Sequence, residues 1–199
     1  MATFPCTFLD VFTDAPLAGN GLAVVHDADD LDEATMVRFA PETRLSETAF
    51  VQAPRAAGAD YRNRIFMTSG EIPFAGHPSL GAAVAVARRR GLATAQFTQE
   101  TGAGLQPVEV EVAGELAAAS MLQEPAELGP EVEPARALAA VGLAAAEAAT
   151  AFPAQVVSTG IRSAGSGSRS SRGWRWGGRA ASRRRSRATA CASADGSSR

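Results

Sequence analysis

No lysine occurs in the 199 residues, so all 19 basic side chains are arginines. With so many Ala, Gly and Arg residues, that absence suggests a GC-rich coding sequence, because these residues have GC-rich codons. The two cysteines, Cys6 and Cys191, stand in unlike surroundings and suggest neither a disulfide framework nor a metal site. Two histidines, His26 and His77, leave little scope for a histidine-based metal centre. GxGxxG, a Walker loop, HExxH and any CxxC pair are all missing. No apolar run approaches the length of a membrane span. The opening MATFPCTFLDVFTD has no basic stretch and is interrupted by Asp10, so it does not read as a signal peptide. The expected location is the cytoplasm.

What is present divides unevenly. The length suits one large domain or two small ones, and a hydrophobic content of 46% is that of a globular protein. A formal net charge of −2 conceals a split. Residues 1–160 hold 9 Arg against 20 Asp or Glu, a charge of −11, and residues 161–199 hold 10 Arg against Asp195, a charge of +9.

The first part alternates strand-like and helix-like signals. FPCTFLDVF (4–12), LAVVHDA (22–28), ETAFVQA (47–53) and ADYRNRIFM (59–67) read as strands, with TDAPLAGNG (13–21) as a turn-rich loop. Asp30 and Glu33 have capping-box spacing, which predicts a short helix with Met36, Val37 and Ala40 on one side. A clearer helix is expected over 78–90. Three short strands follow, the pattern being cleanest where Val108, Val110 and Val112 alternate with Glu109 and Glu111. Residues 124–150, rich in Ala and Glu and punctuated by prolines, predict a linker and one or two short helices, and FPAQVVSTG (152–160) another strand. The mixture, without the βαβ alternation of a doubly wound sheet, predicts an α+β fold. The expected domains are 1–125, a linker and the start of a second domain at 126–160, and a distinct segment at 161–199.

In that last segment, Ile161 is the only Val, Ile or Leu, among 10 Ser and 10 Arg. Such a composition buries too little apolar surface to offset its chain entropy, so disorder is expected. Three readings compete: an arginine-rich nucleic-acid tail with Trp174 and Trp176 as stacking groups, a solvated linker, or an out-of-frame translation of GC-rich DNA. The abrupt break after the strand-like VVSTG favours the third.

Two places could carry chemistry. In GHPSLG (76–81), Pro78 suits the first position of a helix, which makes His77 its cap, with Leu80, Val84 and Ala87 along one apolar face. Arg88 to Arg90 complement the C-terminal end of the helix dipole, and Gly91 ends the helix. The N–H groups around Ser79 to Gly81 could receive a carboxylate, and Gly76, lacking a side chain, would let it approach. On spacing alone the capping role of His77 outweighs a ligand-facing one. Glu47, in RLSETAF, could be an exposed strand residue, could pair with Arg44, or could be a general base in a partly desolvated pocket.

Three stretches together shift those readings. LDVFTDAPLAGNGLAVV (9–25), RLSETAFV (44–51) and RIFMTSGEIPFAGHPSLGAA (64–83) resemble, in order and spacing, the N-terminal half of the PhzF family of phenazine biosynthesis. The resemblance runs from about residue 4 to Gly160. It implies a fold like diaminopimelate epimerase, with two related α+β domains, each a curved sheet wrapped around a central helix. Here the helix at 78–90 would be the central one. It also implies a cofactor-independent and metal-free isomerase acting on trans-2,3-dihydro-3-hydroxyanthranilate or a similar small carboxylate. The glutamate of the SET motif, Glu47, would move the proton as base and then acid. Ser46 would lie at the pocket edge, and Gly76 and His77 would contact the substrate. Family members commonly form homodimers.

The sequence departs from the family pattern at GNG (19–21), usually GNP, and at Met67 and Thr68, usually threonine–proline. More important, the family's second domain, with its D-x-A-T-G-S segment, is not found after Gly160. The expectation is therefore a truncated second domain caused by a frameshift near codons 160–162, and little or no isomerase turnover by this chain. The alternative from another class is a PhzF-like binding module with an arginine-rich nucleic-acid arm. It is the less favoured partner reading and predicts steeply salt-dependent binding. An amino-acid epimerase is the nearer rival, but those enzymes typically use a cysteine pair that Cys6 and Cys191 do not supply.

Overall fold

The computed structural model describes residues 3–122, 126–148, 153–158, 162–165 and 185–192, the last two stretches by their backbone. The elements in chain order are β1 (Cys6–Val11), β2 (Asn20–Val25), α1 (Glu33–Glu42), β3 (Glu47–Gln52), β4 (Tyr61–Met67), β5 (Gly70–Ile72), α2 (Gly76–Arg89), β6 (Thr94–Thr101), β7 (Gly104–Ala113), β8 (Leu116–Leu122), β9 (Glu127–Glu131), α3 (Pro134–Ala139), β10 (Gln155–Ser158), β11 (Arg162–Gly165) and β12 (Arg185–Ala192). The class is α+β, as expected. The brief strands β5 and β9 had no sequence signal of their own.

In the first compact unit, one nine-stranded sheet has the order β3-β2-β1-β12-β8-β7-β6-β4-β5, and β3 also pairs with β4. That extra pairing curls the sheet round on itself. β2 and β3 are parallel, with Leu22 opposite Glu47, and α1 lies in the crossover that parallel neighbours require. β3 and β4 are antiparallel, with Glu47 opposite Met67.

The curl encloses α2. Residues 77–87 of this helix are buried all round, not along the single Leu80–Val84–Ala87 face that the periodicity predicts. Strands surround the helix, so its alanines at 82, 83 and 85 are as deep as Leu80 and Val84. Small side chains allow the close fit. A Cβ at Gly81 would stand 2.5 Å from Leu22 Cδ2 and 3.0 Å from Val11 Cγ2.

A second, smaller core lies beneath α1, where Met36 and Ala40 pack with Val25, Ala28, Phe50 and Phe66. Alternate residues of β3 therefore serve two cores, Ala49 and Val51 joining the α2 side and Phe50 the α1 side. Burial on both faces explains the unbroken apolar runs of β2 and β3. The cap of α1 is Asp32, whose carboxylate accepts from the Thr35 N–H at 2.6 Å, and not Asp30, which sits in a 3₁₀ turn at Ala28–Asp30. Val37, expected on the apolar side, is exposed.

Two strands, β11 and β12, fall within the segment 161–199 that its composition leads one to expect disordered. β12 runs between β1 and β8, antiparallel to both, with Ala190 opposite Val11 and Ala117. Backbone N–H and C=O groups pair whatever the side chains, so a strand position between two open edges can be filled by a segment of unpromising composition. Within 161–199, residues 161, 166–184 and 193–199, including both tryptophans, lie outside the described residues.

The second compact unit holds a three-stranded antiparallel sheet in the order β11-β10-β9. It also contains α3, capped by the Glu133 carboxylate on the N–H groups of Ala135 and Arg136. Among the described residues no helix is long and apolar enough to cross a membrane.

Candidate active site

The site follows from strand direction. Because β2 and β3 are parallel, their first residues, Asn20 and Glu47, come to the same end of the sheet. α2 also begins at that end, with Gly76 its first residue and His77 its second. Two segments thirty residues apart, RLSETAF and GHPSLG, thus meet at one place. Glu47 Oε2 lies 3.5 Å from His77 Nε2, and neither of these two buried atoms has a hydrogen bond.

The helix starts two residues earlier than its proline suggests. Ala75, in extended conformation, is the cap residue, and Pro78 stands third in the helix. His77 is therefore not the cap. Its ring leaves the first turn and is 7% exposed, a burial that a capping side chain has no reason to show. The Ser79 N–H is engaged by the Ala75 carbonyl at 3.2 Å, so the donors expected around Ser79 to Gly81 are not the ones presented. The first-turn N–H groups left without an intrahelical acceptor are those of Gly76 and His77.

Burial pushes the His77 imidazole below its ordinary value, against the opposing pull of the Glu47 carboxylate and the Gly21 carbonyl. A neutral imidazole beside a carboxylate is the result. The titratable neighbour of Glu47 is His77, and no ion pair joins Glu47 to Arg44 among the described residues. Arg44 is exposed, with a positive φ of 56° in the turn that leads into β3.

Around this pair stand groups with less sequence signal. Ser46 Oγ donates to Asn20 Oδ1 at 3.3 Å, and Asn20 Nδ2 lies 3.2 Å from His77 Nδ1. Asn20 is the residue the sequence reading missed. Its turn, GNG, was noted only as a departure from a family pattern. Phe12 places its ring centroid 6.4 Å from that of His77, and does so from a left-handed backbone with φ 67°. Such a conformation is costly for a bulky residue and is more often found at functional sites. The loop that carries it is held by Asp10, whose carboxylate accepts from the Leu17 N–H at 2.6 Å. It is closed by Gly19, where a Cβ would stand 2.5 Å from the Val11 carbonyl oxygen.

Among the described residues no group of three or more His, Cys, Asp or Glu side chains is arranged to hold a metal ion. The structure thus brings Ser46, Glu47, Gly76 and His77 to one end of the curled sheet. Chemically, this is a carboxylate able to take or return a proton, a neutral imidazole beside it, and free helix N–H groups suited to an anion.

Comparison with known proteins gives the family and the fold. A family model described as phenazine biosynthesis-like protein (PhzC-PhzF) matches residues 9–164. The trans-2,3-dihydro-3-hydroxyanthranilate isomerase of Pseudomonas aeruginosa is 39% identical over 155 residues, covering 77% of this chain and 53% of that protein. A predicted epimerase of known structure from the same organism is 35% identical, with a TM-score of 0.71, over 80% of this chain and 57% of that one. A hydroxyproline epimerase from Agrobacterium vitis shares 13% identity, with a TM-score of 0.52, over 79% of this chain and 50% of its own. That last likeness concerns the fold alone. It matches this chain to one domain of the diaminopimelate epimerase-like architecture. The chain spans about half the length of the relatives it matches.

Proposed function

The chain belongs to the PhzC-PhzF phenazine biosynthesis-like family, and on that premise we propose that it carries the proton-transfer half of an isomerase site. The substrate is a small carboxylate resembling trans-2,3-dihydro-3-hydroxyanthranilate. Glu47 takes a proton from one carbon and returns it to another, without metal or organic cofactor. His77 faces the substrate beside it, the Gly76 and His77 N–H groups receive the substrate carboxylate, and Ser46 lines the edge. The observation that carries this reading is the Glu47–His77 contact at 3.5 Å, with both facing atoms buried and lacking hydrogen bonds. A buried carboxylate oxygen left unpaired is costly unless a ligand or a reacting group completes it.

The rate of this chain is expected to be low. Orientation and water exclusion can be worth several orders of magnitude, and the residues in hand span about half of the isomerase relative. The family match ends at residue 164, within a few residues of the composition break at Ile161. This supports a change of reading frame there as the origin of the arginine-rich stretch. Resequencing codons 150–200 tests it: a neighbouring frame that encodes an aliphatic-rich domain with a D-x-A-T-G-S segment bears it out, and three frames without one refute it.

The functional assignment is tested by deuterium incorporation from D2O into trans-2,3-dihydro-3-hydroxyanthranilate. Slow incorporation that disappears in Glu47→Gln supports the assignment. Incorporation that is equally fast in both proteins contradicts it.

A further inference from the structure

We propose that Asn20 is a positioning residue that holds His77 in its Nε2–H tautomer, so that this proton lies on the side of the Glu47 carboxylate. The inference rests on the reading of Glu47 and His77 as the site pair. It concerns a residue to which the sequence reading gave no role.

The argument begins at the carboxylate. Glu47 Oε2 can only accept when ionised, and at 3.5 Å it faces His77 Nε2. A lone pair on Nε2 would place two acceptors face to face in a buried setting, so a proton belongs there. A neutral ring then has its lone pair at Nδ1, which needs a donor. The side-chain atom opposite is an Asn20 amide group at 3.2 Å. Only the Nδ2 end of that amide can donate, so the amide orientation is decided. Its Oδ1 end must then accept, and Ser46 Oγ stands 3.3 Å away as a hydroxyl able to donate.

The side chains thus have consistent roles: Ser46 donates to Asn20, Asn20 donates to His77, and the His77 Nε2 proton faces Glu47, while the Gly21 carbonyl near the ring favours its protonated form. Turning the amide by 180° would need a proton on Nδ1 and would leave Nε2 bare against the carboxylate. One polar residue at the start of β2 therefore chooses between the two forms. The consequence for chemistry is specific. A proton taken up by Glu47 finds Nε2 already protonated, so passing it on would create a buried imidazolium. His77 is therefore not the exit for that proton, which leaves the carboxylate either to solvent or back to the substrate.

The test reads the ring directly and needs no turnover. The uniformly 15N-labelled chain has only two imidazoles, and a His26→Gln variant assigns the other one. The unsubstituted chain at neutral pH is expected to show His77 as the Nε2–H tautomer. Asn20→Asp offers an acceptor to Nδ1 while Glu47 still faces Nε2. It is therefore expected to raise the His77 pKa by about one unit or more. A Nδ1–H tautomer in the unsubstituted chain, or an Asn20→Asp variant in which the His77 titration is unmoved, overturns the proposal. If Asn20→Asp does not fold, the tautomer in the unsubstituted chain decides alone. The outcome is separable from the functional assignment. Proton exchange that is independent of Glu47 would sink the isomerase reading while an Nε2–H ring leaves this one standing, and the reverse combination would do the opposite.

Discussion

Glu47 and His77 lie thirty residues apart in the chain and 3.5 Å apart in the fold, each with a buried atom whose partner is the other or a ligand. The sheet makes this contact unavoidable. A parallel β2–β3 pair fixes Glu47 at one end of the curl, and α2 enters its core from that same end. Several measurable consequences follow from the surroundings of this pair.

His77 and His26 are both held below the ordinary histidine value, chiefly by burial. Their unfolded forms therefore bind protons at a higher pH than the folded ones. Stability should be fully present above about pH 6.5 and decline as the pH falls below it toward the lower folded values. Urea midpoints measured from pH 7.5 down to 5 should fall, and the decline should be shallower in His77→Gln. An unchanged slope would mean that His77 does not titrate as its burial requires.

The tight approach behind Asn20 should be intolerant of a methyl group. A Cβ on Gly19 would stand 2.5 Å from the Val11 carbonyl oxygen and 2.6 Å from Thr13 Cγ2. Backbone cannot yield as a side-chain tip can. Gly19→Ala is expected to cost about 1–3 kcal/mol, by analogy with overpacked cores, read as a lowered urea midpoint with an unchanged slope.

Away from the site, Gln99 is fully buried and its Oε1 accepts from Asn63 Nδ2 at 3.2 Å and Tyr61 Oη at 3.4 Å. Gln99→Leu keeps the volume but leaves both donors without that acceptor. The expected loss is about 1–3 kcal/mol for each group left unpaired. Gln99→Leu that unfolds at the same midpoint would show that the two donors find other acceptors.

How much of this was legible in the sequence depended on whether the signal was local. The apolar runs of β2 and β3 announced strands, though not their burial on both faces, and Val108 to Val112 gave a strand of alternating pattern. The beginning of α2 was misjudged because Pro78 is usually a first-position residue, whereas here the extended Ala75 opens the helix. Burial of α2 on every side could not be read from its period, since a helix enclosed by strands needs no polar face. Glu47, Ser46, Gly76 and His77 were found through a resemblance, because spacing left each with an ordinary structural explanation. Asn20 was invisible: an asparagine between two glycines reads as a turn, and only the fold brings it to His77. The strand β12 was contrary to composition, because its place is set by two sheet edges and not by apolar content.

That strand gives a further check. β12 pairs along its length with β8 from Arg185 to Cys191 and with β1 from Leu9 to Val11. Amides in its centre should exchange with solvent far more slowly than those of an unstructured arginine-rich chain. Exchange at the unstructured rate would remove β12 from the sheet and return 161–199 to the disorder that its composition suggested.

The most direct test of the central claim is deuterium incorporation into trans-2,3-dihydro-3-hydroxyanthranilate, followed at high protein concentration with the unsubstituted chain and with Glu47→Gln. A slow incorporation that depends on the protein and vanishes with the carboxylate is the predicted result. Equal incorporation in the two proteins would contradict the assignment of Glu47 as the group that moves the proton.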